Sequence, residues 1–230
     1  MRWLVISLFL LLTSCGREPL YQSQSYVFGT LVDVSIYGEA EPRARELAGH
    51  VLEDFQGLHN RLHAWQTGSE LNQLNQAFAE NSKPVPVSPE LAQIINNATA
   101  LSVQSNGLFN PAIGGLIKAW GFQRDEFTPV KIDEAAIAKL TTSDPKMTDI
   151  VIHQNMAYSK NPAVKLDLGG YAKGYALDRA AAYLRGQGVK NALINIGGNI
   201  IALGKHGDNP WRVGIPVSYT HLTLPTKRIV

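Results

Sequence analysis

Cysteine is almost missing from this chain of 230 residues: Cys15 stands alone, so no internal disulfide can form. A one-sided charge is missing as well. A formal net charge of +2, with 17% charged residues, singles out no polyanionic partner, and no nucleic acid is expected. The apolar run from Trp3 to Leu12 is too short for a stable membrane span. Glycine pairs occur, but their spacing near Gly169-Gly170 fits neither a P-loop nor a dinucleotide fingerprint. With 45% hydrophobic residues, there is still material for one sizeable domain or two small ones.

Residues 1–14 read as a signal peptide, with Arg2 before the apolar run. Its end, Leu12-Thr13-Ser14-Cys15, resembles a bacterial lipobox, in which Cys15 is lipidated and becomes the N-terminus; the alternative is an ordinary secretory signal with a chance cysteine. Gly16 rather than Asp after the cysteine favours the outer over the inner membrane. Residues 15–24 are polar and read as a tether.

From there the pattern alternates between strands and helices. Val32, Val34 and Ile36 alternate with Asp33 and Ser35 as a half-buried strand. Leu47, Val51, Phe55, Leu58 and Leu62 form a helix stripe that opens near Pro42 and runs towards Trp65. Thr67 to Asn75 reads as a capped turn entering a short helix, with Leu71 and Leu74 inward and Asn72 and Asn75 elsewhere. Ser88-Pro89-Glu90 starts another helix, closed by Gly107. Ser105 to Phe122 is rich in Gly, Asn and aromatics, which suits either a loop approaching a ligand or a packed connection. One helix is expected around Glu134 to Leu140, in a polar excursion without repeats.

Ile150 to Ile152 and Val164 to Leu168 read as paired strands, Ala192 to Leu203 as a hairpin turning at Gly197-Gly198-Asn199, and Trp211 to Ile215 as a further strand. Strands follow one another too often for βαβ alternation, so the expected class is α+β, a mostly antiparallel sheet with flanking helices. Residues 218–230, SYTHLTLPTKRIV, lack an apolar pattern and look like translated sequencing-adaptor read-through, leaving 25–217 as the domain.

The chain's most suggestive stretch is Leu166 to Asp178, LDLGGYAKGYALD. Val164, Leu166 and Leu168 bring in a strand with Asp167 facing the other way, and a helix follows with Lys173 in its first turn and Gly186 at its C′ position. Gly169 and Gly170 lie between. Backbone N–H groups and a cation meet there, as a phosphate would require. Alternatively the glycines serve only the turn, with Asp167 accepting bonds from loop N–H groups.

Five blocks in order resemble the ApbE family of FAD:protein FMN transferases. They are Phe28-Gly29-Thr30; Ser69 to Asn75; Ser105 to Pro111 with Trp120-Gly121-Phe122; Asp167 to Asp178; and Asn195 to Asn199 with Pro210 to Ile215. The resemblance implies an ApbE-like fold and a reaction in which FAD is split at its diphosphate. FMN passes to a Thr or Ser hydroxyl of a partner protein, a periplasmic domain of a redox membrane protein, and AMP leaves. It also implies lipid anchoring to a bacterial membrane, facing the periplasm.

By the same resemblance, Phe28, Trp65, Leu108, Phe109, Asn110, Asp167 and Lys173 contact FAD, and the Gly170 carbonyl binds Mg²⁺. Phe28 replaces a methionine common in the family. Trp65 would stack on the cofactor rings, unless it is a core tryptophan at a helix end. The family's C-terminal His-containing and Asp-containing segments have no counterpart here, and His221 lies in the suspected tail. The catalytic acid/base is therefore unassigned, and the chain as written is expected to bind FAD weakly and transfer no flavin. An Mg²⁺-dependent FAD pyrophosphatase and a non-catalytic flavin-binding lipoprotein remain as alternatives.

Overall fold

The computed structural model describes residues 19–80, 83–123 and 132–214. The signal peptide, Cys15 and the 218–230 tail lie outside the described residues.

The main sheet has strand order β1-β2-β6-β7, all neighbours antiparallel. Its strands are β1 (Leu20–Val27), β2 (Thr30–Tyr37), β6 (Asn191–Ile196) and β7 (Asn199–Leu203). Period-two alternation fixes its inner face: Val32, Val34 and Ile36 lie opposite Ile196, Ile194 and Ala192, and all six are buried. The expected tether is corrected from Leu20 onward, because Leu20 to Gln24 pair with Tyr37 to Asp33 of β2. Polar composition misled: β1 faces solvent on one side, so Gln and Ser alternate without an apolar signature.

Two helices cover the inner face, Glu41–Leu62 over β1 and β2 and Gly169–Gly186 over β6 and β7. The first, α1 (Glu41–Leu62), has Pro42 in its first turn and buries Leu47, Val51, Phe55, Leu58 and Leu62, the stripe expected from spacing. Beyond it come α2 (Glu70–Glu80), β3 (Val85–Pro86) and α3 (Pro89–Gln104). The Ser88 hydroxyl accepts the Leu91 N–H at 3.1 Å, and Ser69 caps α2 through the Asn72 N–H at 3.1 Å. Then follow α4 (Gly114–Ala119), α5 (Glu134–Ser143), β4 (Ile150–His153), β5 (Met156–Ser159) and α6 (Gly169–Gly186). A small antiparallel sheet, β3-β5-β4, lies apart from the main one. The mixed, antiparallel class expected from the strand pattern is observed. Among the described residues no helix is long and apolar enough to cross a membrane.

Four local expectations are corrected. Val164 to Leu168 forms no ladder with β4, whose partner is β5. The segment is extended, but its backbone is claimed from two sides: the Lys165 and Asp167 N–H groups donate to Ala112 and Pro111 carbonyls, and Leu166 bonds Asn75. Gly169 and Gly170 are the first residues of α6 rather than a separate turn, and Gly188, at φ +80°, takes the left-handed position expected for Gly186. Trp211 to Gly214 is irregular, Ile215 lying outside the described residues. Trp211 instead stacks on His206 at 5.2 Å and donates its indole N–H to the Leu203 carbonyl, folding the chain back along β7.

Candidate functional site

A cavity of about 440 Å³ opens where the β1–β2 turn, the end of α1 and the start of α6 meet. The turn is the two-residue Phe28-Gly29, with φ +56° and +70°. Positive φ at both positions is what a tight hairpin with native strand twist needs, and phenylalanine adopts it at a cost of about 1 kcal/mol or more. The Phe28 ring is held tilted on Phe55 at 6.1 Å and edge-on to His59 at 5.7 Å. Trp65 lines the same cavity at 38% exposure, which removes the alternative of a core tryptophan.

Asp167 and Lys173 complete the wall. The alternation seen in the sequence explains the aim of Asp167: Leu166 and Leu168 are buried on one side, and the carboxylate emerges on the other. One oxygen accepts the Gly169 N–H at 3.0 Å, and the other accepts from Gln123 Nε2 at 3.1 Å. Asp167 thus takes one of the backbone donors that a phosphate reading of the glycine pair would use. What remains is an aromatic slot with a carboxylate and an ammonium at one end, suited to a flat heterocycle bearing polar and anionic substituents.

The other expected residues lie elsewhere. Phe109 and Gly170 line a separate, open cavity on the opposite side of the first turn of α6, with Ser105 and Tyr171. Leu108 is 94% exposed and lines neither cavity. Both functions of the Asn110 amide are engaged within the chain: Nδ2 donates to the Pro145 carbonyl at 2.8 Å, and Oδ1 accepts the Ala112 N–H. Asn110 therefore braces its loop here. Among the described residues no group of three or more His, Cys, Asp or Glu side chains could hold a metal, and Gly170 is the second residue of α6, with no such group around its carbonyl.

Sequence reading missed three residues. His59 and His63 line the main cavity from α1, and i, i+4 spacing just before Trp65 was the available signal. Burial, and then the neighbouring His63, hold His59 below the usual histidine value. The His63 ring stands edge-on to Trp65 at 4.6 Å, with Nδ1 accepting the Gln66 N–H. Gln123, which anchors Asp167, had no local signal.

Comparison with known proteins identifies the family and the fold. The ApbE family model matches residues 28–227, a stretch that runs past the start of the suspected tail. An FAD:protein FMN transferase of Rhodobacter capsulatus is 44% identical over 190 residues, covering 83% of this chain and 36% of the relative. One from Klebsiella pneumoniae (strain 342) is 30% identical over 198 residues, covering 85% and 58%. This chain thus spans less than two thirds of the length of these curated relatives. Among solved structures, the ApbE protein of Thermotoga maritima superposes with a TM-score of 0.75 at 26% identity, covering 86% of this chain and 64% of that one. The flavin transferase ApbE from Vibrio cholerae superposes at 0.72 and 25%, with 86% and 64% covered. On a match that takes in most of its length, the chain belongs to the ApbE family.

Proposed function

We propose that this chain holds the flavin half of FAD for an FMN transfer reaction, the activity named for its relatives. The observation that carries the reading is the convergence of Phe28, Trp65, Asp167 and Lys173 on one cavity from three separate elements. Phe28 and Trp65 cover the ring faces, where stacking contributes about 0.5–1.5 kcal/mol beyond burial. Asp167 accepts from the nucleotide's N–H or O–H groups, and Lys173 offsets the charge of its phosphates.

In the proposed reaction the oxygen of an acceptor Thr or Ser forms a bond to the flavin-side phosphorus, the diphosphate P–O bond breaks, and AMP leaves with the bonding pair. The hydroxyl proton passes to a base that is not assigned. Mg²⁺ belongs to the proposal because oxygen ligands and a diphosphate suit it; the described residues would supply only the Gly170 carbonyl, from the far side of the first turn of α6, and the ion when bound would neutralise charge on the leaving group. Export, lipidation at Cys15, attachment to the outer membrane and an acceptor on a periplasmic redox protein complete the reading.

The test incubates the full-length family protein carrying these residues with FAD, Mg²⁺ and a threonine-containing acceptor, followed by mass spectrometry of the acceptor. An FMN adduct is expected. Free FMN and AMP without an adduct would make the protein a pyrophosphatase, and intact bound FAD would make it a flavin carrier; either overturns transfer.

A further inference from the structure

A second cavity, of about 500 Å³, adjoins the first, and Trp65 lines both. Two lysines face it: Lys118 from α4, at its exposed mouth, and Lys165 from the extended segment before α6. No described lining residue is a carboxylate. Among the described residues neither lysine forms an ion pair. Burial, followed by Lys118, holds Lys165 below the usual lysine value, with Asp167 opposing. Two like charges kept together in a half-buried recess are a standing electrostatic cost that an anion would relieve.

The recess also offers an acceptor. Gln123 donates Nε2 to Asp167 and to the Gly114 carbonyl, at 3.1 and 3.3 Å, which leaves its buried Oε1 without a partner among the described residues. An orphaned buried acceptor favours an occupant that brings a donor.

We propose that this second cavity binds an oxyanion, phosphate or carboxylate, on a group that also carries an N–H or O–H. Lys118 and Lys165 bind the oxyanion, and Gln123 Oε1 accepts from the donor. Trp65 sets the occupant directly beside the ring cavity. Because Gln123 also bonds Asp167, occupancy is communicated to the flavin wall through one side chain. Two sources supply this chemistry: the phosphate of a mononucleotide, or an acidic residue of a polypeptide presented to the site. The site stands on its own geometry, independent of what fills the first cavity.

Calorimetric titration of the chain with AMP and, separately, with N-acetyl-aspartyl amide distinguishes the sources, with riboflavin titrated in parallel. At least one anionic probe is expected to bind saturably. Its affinity should fall about tenfold in Lys118→Met and Lys165→Met and recover in Lys118→Arg, with riboflavin affinity changed less than about twofold. Saturation by AMP assigns the phosphate source, and saturation by the aspartyl probe the carboxylate source. Lack of saturation by both, or methionine variants that bind as the parent chain does, overturns the proposal. Failure of riboflavin alone would count against the flavin reading and leave this site standing. Lys118 is exposed, so its variants are expected to keep the parent's thermal midpoint, which guards against mistaking unfolding for lost binding.

Discussion

Asn75 and Leu166 grip each other across 91 residues of sequence: the Asn75 Nδ2 donates to the Leu166 carbonyl at 2.9 Å, and the Leu166 N–H donates to Asn75 Oδ1 at 2.7 Å. A buried asparagine here imitates a neighbouring strand. It satisfies the backbone of the extended segment that aims Asp167 and thereby joins α2 to the candidate site.

Replacing Asn75 by Ala should therefore destabilise the protein by about 2–4 kcal/mol, because two buried backbone groups lose their partners at once. Urea denaturation measures it. A loss below about 0.5 kcal/mol would mean that the segment holds itself in place.

Phe28 separates turn chemistry from ligand chemistry. Phe28→Asn places a residue that tolerates positive φ in the turn while removing the ring. The gain in backbone ease, about 1 kcal/mol, offsets the lost packing on Phe55, so stability should hardly change. Flavin affinity should fall about tenfold in fluorescence titration. Unchanged affinity would remove Phe28 from the site.

Glu90 is the hub of an ion-pair network linking α1, α3 and α6. It pairs with Arg61 at 2.5 Å and with Arg179, accepts the Tyr175 hydroxyl at 3.1 Å, and Arg179 in turn pairs with Asp54. Burial alone would raise its carboxyl, but Arg61, then Arg179 and Tyr175, outweigh it and lower the value below the usual 4.5. A depressed carboxylate contributes stability that is complete above 4.5 and is lost as pH falls through the lower folded value. Glu90→Gln should cost about 1–3 kcal/mol at neutral pH and flatten the stability profile below 4.5. Parallel profiles for the two proteins would contradict the assignment.

His59 gives a pH effect nearer neutrality. Its folded value lies below 6.5, so the unfolded chain takes up the proton first as pH falls. The stability this group contributes is present above 6.5 and lost as pH drops through its folded value. His59→Phe should remove that component. Imidazole titration by NMR should place His59 below 6.5, and a value above it would reverse the sign.

Much of the fold was legible because its signals are local. Stripe spacing identified α1, and the caps Ser69 and Ser88 were readable as residue types. What escaped depends on distant partners. Asn75 was assigned away from the core, but its burial is possible only because Leu166 arrives beside it. Val164 to Leu168 has strand periodicity and no strand neighbour, since a side chain and a loop take its hydrogen bonds. Of the residues expected to contact the flavin, Phe28, Trp65, Asp167 and Lys173 lie together on one cavity, whereas Leu108 and Asn110 do not face it. Gln123 acts through a contact 44 residues away, which no local pattern encodes.

The claim that one cavity built from Phe28, Trp65, Asp167 and Lys173 holds the flavin is tested most directly by titrating riboflavin against the chain and its Trp65→Ala and Asp167→Ala variants. The reading is quenching of flavin fluorescence. Saturable quenching by the parent chain, weakened at least about tenfold in both variants, is the predicted result. Equal affinity in all three proteins, or no saturable quenching by the parent, would contradict it.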